Sequence, residues 1–286
     1  MKLDVTVMRT MSKEDYRVLG AVEIGMKTHE LVPVSLCMSI ARLRHGGANK
    51  VMSSLLRDKL LSHDRSKGYD GYRLTNSGYD ILALCTLFQK KIVSALGDKI
   101  GIGKESDIYI AATPEGKQVV LKFHRLGRTS FRAVRKKRDY LRGNGSAPHN
   151  SNTARFARSP PHPPTPPRLS ALKEYAFMKA LHSVGYPTPT PLSHSRHVVA
   201  MTLVRGCPLY QVRTRSEVSP LQAESIFNQS VDLAARLARH GLVHCDLNEF
   251  NLMVDLSGPL VTLIDFPQMV STKHPNAKEL YERDVE

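Results

Sequence analysis

The sequence of 286 residues predicts an α+β protein built from two unlike parts. Apolar residues in the first 90 positions recur mainly at helical spacing. From about residue 91, short strand-like runs precede long helical patterns, which indicates a β-rich lobe followed by an α-rich lobe. We therefore expect a small helical domain over 1–90 and a second domain with lobes at 91–204 and 205–286.

The N-terminal domain has the pattern of a winged helix-turn-helix. Three segments show helical spacing of apolar residues, 14–26, 34–43 and 49–61. Two glycines flank Tyr69 and Asp70 after the third segment and predict a tight hairpin, and another helix is expected over 79–87. A hairpin in this position favours the winged form, and a small helical bundle is the alternative.

Strands and a polar insert are expected at the start of the second domain. Residues 108–112 and 118–123 have strand patterns around a turn at 113–116. Residues 143–168 offer no apolar face to bury, and six prolines fall between 159 and 167. Such a composition cannot form a helix or a central strand, so we expect a disordered loop there.

Helical patterns dominate after the insert. One helix is expected from Leu169 to about Gly185, and a strand follows at 198–204. Ser219 and Pro220 supply an N-cap and a first-turn proline for a helix that runs to His240. A further short strand is expected at 261–264.

The chain is strongly basic. Its formal net charge is +15 and its isoelectric point is near 9.8, which favours polyanions such as nucleic acid, nucleotides or an anionic membrane. Between Lys122 and Arg158 there are eleven Lys or Arg residues and one acid, Asp139. A solvated helix face is the alternative for 125–142, but the near absence of acids favours phosphate contacts. A second basic surface is expected on the winged helix, from Arg42, Arg44, Lys50, Arg57, Lys59, Lys67 and Arg73.

The four cysteines form no closely spaced pair. This spacing argues against a zinc site and a disulfide scaffold and favours reduced thiols in a reducing compartment. The N-terminus lacks the apolar core of a secretory signal, and no run approaches the length of a membrane span. We therefore expect a cytoplasmic or nuclear protein without a membrane partner.

The most informative motif lies near the C-terminus. His244, Asp246 and Asn251 form the pattern HxDxxxxN, and an apolar run leads from there to Asp265 and Phe266. In phosphoryl transfer one carboxylate faces the attacking hydroxyl, while an Asn and a second carboxylate hold Mg²⁺ against nucleotide phosphates. Asp246 is therefore the candidate catalytic residue, and Asn251 and Asp265 are the candidate metal ligands. A structural turn is the alternative, and His244 is expected to anchor the loop.

Phosphate-binding candidates lie in the first lobe. Four precede the first strand: Gly101, Gly103, Lys104 and Ser106. The glycines would let backbone amides approach phosphates, but the segment lacks the third glycine of GxGxxG, and a structural turn fits it equally. Lys122 ends a Val-Val-Leu-Lys run, where a kinase lysine contacts phosphates, and Glu174 on the next helix could hold it by an ion pair. For each residue alone, an exposed side chain is the alternative.

With these motifs the chain resembles the RIO family of atypical serine/threonine protein kinases, in its winged-helix-bearing branch. The resemblance extends over nearly the whole chain, including 101–109 and 172–181. It is most specific over 240–251 and 264–271, where Asp-Phe-Pro replaces the Asp-Phe-Gly of other kinases. It implies a winged helix followed by a trimmed, two-lobed protein-kinase-like fold, with a C-lobe that is expected to be C-terminally incomplete.

The resemblance also implies a function. ATP and Mg²⁺ would bind between the lobes, with the adenine against Met201, Thr202 and Val204. Family members are kinases or ATPases that switch state during maturation of the small ribosomal subunit, bound to the pre-40S particle and its ribosomal RNA. Asp265 would also accept a phosphoryl group as an aspartyl phosphate. The free protein is expected to be a cytoplasmic monomer that shuttles through the nucleus.

Two other functions stay open at this level. A nucleic-acid-binding assembly factor with a vestigial kinase fold would keep the basic surfaces and lack ATP turnover. A winged-helix transcription factor would bind duplex DNA with sequence selectivity.

Overall fold

The computed structural model describes residues 3–43, 45–65, 68–103, 105–125, 166–212, 218–257 and 260–286. The chain forms two compact units, one within the first 96 residues and one from Gly97 onward. Helices and sheets occur in both units, which confirms the α+β prediction. The domain limits at 90 and 204 stay predictions.

The first unit is a winged helix-turn-helix, as predicted. Its helices are α1 (Lys13–Gly25), α2 (Val34–Ala41), α3 (His45–Arg57) and α4 (Asn76–Gln89). Its strands, β1 (Val32–Pro33), β2 (Leu61–Asp64) and β3 (Gly71–Leu74), pair antiparallel in the order β1-β3-β2. Ser12 begins α1 through a capping box with Asp15, and the Thr75 hydroxyl caps α4, so each end satisfies otherwise unpaired amides. The helices and the sheet enclose an apolar core that includes Leu19, Val22, Leu55 and Ile81.

The wing forms, but the predicted tight hairpin around Tyr69 and Asp70 is wrong in position. β2 begins at Leu61, soon after α3 ends, and pairs with β3 across a connection that spans 65–70. Gly71 is the first residue of β3 rather than part of a tight turn. A Cβ at Gly71 would lie 2.5 Å from the Cβ of Leu31, so close packing requires this glycine.

A sheet with the strand order β4-β5-β6-β8-β7 opens the second unit. The strands are β4 (Ala95–Ile102), β5 (Ser106–Ala112), β6 (Gln118–His124), β7 (Pro191–Ser195) and β8 (Val198–Thr202). Strands β5, β6 and β8 agree with the sequence prediction, whereas β4 and β7 were not predicted. β4 is a half-exposed edge strand with interspersed glycines, and β7 is rich in Pro, Ser and His, so neither has the apolar alternation of a buried strand.

In its described residues the second unit has three α-helices, namely α5 (Pro166–Ser183), α6 (Pro220–Arg239) and α7 (Ala277–Val285). Helix α5 begins three residues before the predicted Leu169, because proline is tolerated in a first turn whose amides have no helical partner. The rest of the predicted insert, 143–165, lies outside the described residues, as do the basic positions from 126 to 158. Helix α6 begins at the predicted cap, with Ser219 and Gln222 forming a capping box. Within the described ranges, no helix is long and apolar enough to cross a membrane.

Short strands position the loops between α5 and α7. They are β9 (Cys207–Pro208), β10 (Leu242–Val243), β11 (Leu252–Asp255), β12 (Leu260–Leu263) and β13 (Val270–Ser271). β11 pairs antiparallel with both β12 and β9, and β10 pairs with β13. Gly206, with φ of +91°, packs so tightly that a Cβ would lie 1.9 Å from the carbonyl oxygen of Val254. Leu237, Leu263 and Phe266 anchor the adjoining apolar core.

Candidate active site

A buried lysine lies at the centre of the site. Nζ of Lys122, on β6, donates hydrogen bonds to Oε1 of Glu174 at 2.7 Å and to Oδ1 of Asp265 at 2.8 Å. Glu174 lies on α5, and Asp265 follows β12. The fold therefore brings the lysine together with two acids that lie 52 and 143 positions from it in the sequence.

Charges of opposite sign determine the ionisation of this cluster. Burial by itself would lower the pKa of Lys122, but the charges and hydrogen bonds of Asp265 and Glu174 outweigh it and raise that pKa above its ordinary value. Burial would raise the pKa of Asp265, but the charge and hydrogen bond of Lys122 outweigh it and lower that pKa. Lys122 and Asp265 are therefore both charged at neutral pH.

Side-chain amides orient the carboxylate of Asp246. Nδ2 of Asn251 donates to Oδ2 of Asp246 at 3.1 Å and to its backbone oxygen at 2.8 Å. Nδ2 of Asn248 donates to Oδ1 at 3.3 Å, and Nε2 of Gln268 donates to Oδ2 at 3.3 Å. These donors fix the direction of the Asp246 side chain, and the sequence reading had not identified Gln268.

Helix α7 holds the loop that carries Asp246. The carboxylate of Asp284 accepts hydrogen bonds from the backbone amides of Cys245 at 2.7 Å and Leu247 at 3.1 Å. Arg283 donates to the carbonyl oxygen of Cys245. Cys245 has φ of +68°, in the left-handed region, so these contacts stabilise a backbone conformation that is otherwise unfavourable. The sequence reading missed both α7 residues, because no local motif links them to a loop almost forty positions earlier.

The two candidate metal ligands lie at neighbouring strand ends. The backbone amide of Ile264 donates to the carbonyl oxygen of Asn251 at 3.0 Å, just where the β11–β12 pairing ends. Asp265 has φ of +70°, and its side chain is 37% exposed although Lys122 beside it is buried. The described residues hold no cluster of three or more His, Cys, Asp or Glu side chains that would bind a metal by themselves. An Asn amide oxygen and a carboxylate do suit Mg²⁺, which typically binds few protein groups together with phosphates and water.

The glycine segment forms the turn between β4 and β5. Gly101 lies within β4, and the backbone amide of Gly103 donates to the carbonyl oxygen of Ser106 at 2.8 Å. Ser106 is the first residue of β5 and is paired with His124 of β6. Lys104 lies outside the described residues. The segment is therefore a hairpin turn, and a role in phosphate binding stays a prediction.

The predicted adenine-contacting residues lie at the end of β8. Met201 is buried and is paired with Val120 of β6, and Thr202 is paired with Val119. The amide of Thr202 donates to the carbonyl oxygen of Thr190, so a backbone contact with a base would fall to the following residues, which include Val204. Their role stays a prediction.

His244 packs as expected of a loop anchor, but neither ring nitrogen makes the expected aligned hydrogen bond. Its ring is 1% exposed and lies edge-on to the ring of Phe266, with centroids 6.0 Å apart. Burial lowers the pKa of His244 although three nearby aspartates oppose this, so the ring is neutral at physiological pH.

Comparisons with known proteins show the family to which the chain belongs. The family model for the RIO domain matches residues 107–286, and the model for the N-terminal domain of Rio2 matches residues 8–90. The chain belongs to the RIO family. The two matched segments correspond to the two units of the fold, and the N-terminal match places the chain in the Rio2 branch.

Several relatives match along the whole chain. The serine/threonine-protein kinase rio2 of Dictyostelium discoideum is 46% identical over 285 residues, which cover 100% of this chain and 51% of the relative. The rio2 of Schizosaccharomyces pombe is 43% identical and covers 100% of this chain and 77% of its own length. The chain therefore spans about half the length of the Dictyostelium relative.

Solved structures of Rio2 kinases have the same fold. The crystal structure of a Rio2 kinase–ADP/Mg²⁺–phosphoaspartate complex from Chaetomium thermophilum superposes with a TM-score of 0.81 at 46% identity. That match covers 99% of this chain and 81% of the other.

Proposed function

We propose that this chain is an ATP- and Mg²⁺-dependent phosphotransferase, a RIO-type serine/threonine kinase and ATPase. The observation that carries the proposal is the placement of Lys122 between Glu174 and Asp265, next to a loop that orients Asp246. These are the groups that kinase-type phosphoryl transfer requires. The ADP/Mg²⁺ complex of the Chaetomium relative supports ATP and Mg²⁺ as the ligands.

Lys122 is suited to bind nucleotide phosphates. The raised pKa keeps its ammonium group charged although it is buried, and Glu174 fixes its direction. A preorganised positive charge in a site of low polarity stabilises the negative charge of transferring phosphate oxygens.

Asp246 is suited to orient the nucleophile. Donors from Asn248, Asn251 and Gln268 hold its carboxylate in one direction, so it can accept the proton of an attacking hydroxyl or water. In that step an oxygen–phosphorus bond forms to the nucleophile, the bond to the leaving ADP breaks, and the proton goes to Asp246.

Asn251 and Asp265 would hold the metal. Nδ2 of Asn251 is turned toward Asp246 and Oδ1 of Asp265 faces Lys122, so these bonds leave Oδ1 of Asn251 and Oδ2 of Asp265 for coordination. Bound Mg²⁺ would supply positive charge that neutralises the phosphate oxygens. Asp265 is also the proposed phosphoryl acceptor, because it is ionised and partly exposed beside Lys122.

ATP turnover by the full-length protein tests the enzymatic proposal. Asp246→Ala is expected to lower Mg²⁺-dependent turnover by about 100-fold or more, since it removes the group that receives the proton. Asp255→Asn is the matched control, because this acid on β11 bonds only locally to Ser257 among the contacts we describe. Equal turnover in the wild type and Asp246→Ala would leave the non-catalytic assembly factor as the function.

We further propose that the protein acts as a switch in maturation of the small ribosomal subunit, bound to the pre-40S particle and its RNA in the cytoplasm. The net charge of +15 and the winged helix support a polyanionic partner. Lys50 and Arg57 lie two turns apart on one exposed face of α3, as a phosphate-contacting helix requires.

Salt dependence of RNA binding tests this second part. Affinity is expected to fall by about 1,000-fold between roughly 50 and 200 mM salt, because several phosphate contacts release counterions. Lys50→Glu should weaken binding and flatten that slope, whereas Lys278→Glu, the same charge change at an exposed site on α7, should have less effect. Tight binding to one duplex DNA sequence over unrelated ones would instead support a transcription factor.

A further inference from the structure

A histidine completes the buried ion pair of the active site. Nε2 of His124 lies 2.6 Å from Oε2 of Glu174, and their side chains are 3% and 1% exposed. The other oxygen of the same carboxylate accepts the hydrogen bond from Lys122. Glu174 is therefore contacted at both oxygens by two residues of one strand: by a hydrogen bond from Lys122, and by Nε2 of His124, which is close but not aligned as a hydrogen-bond donor.

The strand period explains this arrangement. Lys122 and His124 are two positions apart on β6, so their side chains leave the same face of the sheet, the face that carries Val120 into the core with α5. β6 is firmly placed at this point, because His124 is paired with Ser106 and its amide donates to the carbonyl oxygen of His197 at 2.9 Å. The imidazole is thus presented to Glu174 from a rigid element.

Burial makes the second contact necessary. A carboxylate oxygen that is removed from water and left without a donor is costly, and a carboxylate held at one oxygen only can rotate. If Glu174 rotated, Lys122 would keep its bond to Asp265 and would be drawn away from the direction that α5 now imposes.

We propose that His124 is a positioning residue of the nucleotide site: the close contact of its Nε2 with Oε2 holds Glu174 so that Oε1 stays on Lys122. The inference deepens the proposed phosphotransferase function and rests on it. His124 does not touch the reacting atoms in this role. It acts through Glu174 on the lysine that binds the phosphates.

Three substitutions in the full chain separate positioning from packing. The amide nitrogen of His124→Gln can reach the place of Nε2, that of His124→Asn is too short, and His124→Leu has no donor. We expect Leu and Asn to weaken Mg²⁺–ATP binding by about tenfold, as loss of a supporting hydrogen bond typically does. Gln should restore binding close to the wild type, as measured by calorimetry, and thermal unfolding identifies any variant that fails to fold.

Nitrogen NMR of the imidazole rings gives a readout that does not depend on ATP. In the nucleotide-free protein the signal of His124, assigned by its loss in His124→Gln, should show a proton on Nε2 and should shift in Glu174→Gln. A proton on Nδ1 alone, with no response to Glu174→Gln, would overturn the inference.

The ATP-binding measurements on the three His124 variants can also contradict the proposal. Equal loss in the Gln, Asn and Leu variants would mean that only the ring's packing matters, and unchanged binding in all three would mean that His124 has no role. Failure of the proposed function is distinguishable, because it is seen in the wild type, which would then bind no ATP. The NMR result would still decide whether His124 holds Glu174.

Discussion

Two clusters in this chain contain the same types of ionisable group, but one is exposed to solvent and the other is buried. In the wing, Asp70 accepts from Nε2 of His63 at 2.8 Å and from Nε of Arg65 at 2.6 Å. In the second unit, Glu174 is contacted by His124 and Lys122 at nearly the same distances. Each cluster is an acid between a histidine and a permanent cation.

Burial separates them. Asp70 and Arg65 are 50% and 76% exposed, whereas Glu174 and Lys122 are 1% and 8% exposed. Water screens the wing cluster and competes for its hydrogen bonds, so the geometry there contributes little to stability. In the buried cluster each group depends on its partners, because water cannot replace them. The contact distance alone therefore does not indicate how much an ion pair matters.

Removal of the buried acid should have the largest effect. Glu174→Ala is expected to lower the free energy of unfolding by about 3 kcal/mol, because it leaves buried partners without their acceptor. The double variant Glu174→Leu with Lys122→Met should recover most of that loss while losing ATP binding, since apolar side chains need no partner. Urea unfolding measures both, with Glu115→Ala on the exposed β5–β6 turn as the control. A double variant as unstable as Glu174→Ala would contradict the role of burial.

The second-largest effect should be the loss of the Asp265 contribution to stability at acid pH. Lys122 lowers the pKa of Asp265 below its ordinary value of 3.8, so this carboxylate stabilises the fold above pH 3.8 and the contribution is lost as pH falls through the folded pKa. In Lys122→Met only burial and weaker charges remain, and the pKa of Asp265 should rise. Carbon NMR of the carboxyl group during a pH titration measures this directly. An unchanged Asp265 pKa in the variant would refute the assignment of Lys122 as its main partner.

The wing cluster should give the smallest effect. Arg65 and His63 lower the pKa of Asp70 through hydrogen bonds, but the group is exposed. Raising the salt concentration to about 1 M should return that pKa toward its ordinary value, because the Debye length falls to about 3 Å. Asp70→Ala should leave the midpoint of urea unfolding unchanged within experimental scatter. A clear loss of stability would mean that the wing cluster behaves like the buried one.

Whether an element could be predicted depended on whether its signal is local in the sequence. Helix α6 could be predicted because Ser219, Pro220 and the apolar spacing are all local signals. β4 and β7 could not, because edge strands with polar residues and glycines lack a period that distinguishes them from loops. The wing hairpin was placed too late for a related reason, since Gly71 is required by packing against Leu31 and not by a turn.

The residues of the candidate site also divide into those with a local sequence signal and those without one. Asp246, Asn251 and Asp265 could be proposed as site residues from spacing, because one loop and one strand end carry all three. His124 could have been found from its position two residues after Lys122 on the same strand face. Arg283 and Asp284 offered no such signal, because their contact with Cys245 depends on where α7 packs.

By itself, the sequence determined the two-part α+β organisation, the family and the types of group available for phosphoryl transfer. These follow from local periodicity and from motifs whose residues are close along the chain. Only the tertiary structure decided that Glu174 is shared between Lys122 and His124, that Lys122 also binds Asp265, and that α7 holds the loop that carries Asp246. Ion pairing and burial depend on distances between residues far apart in sequence, and those distances exist only once the chain has folded.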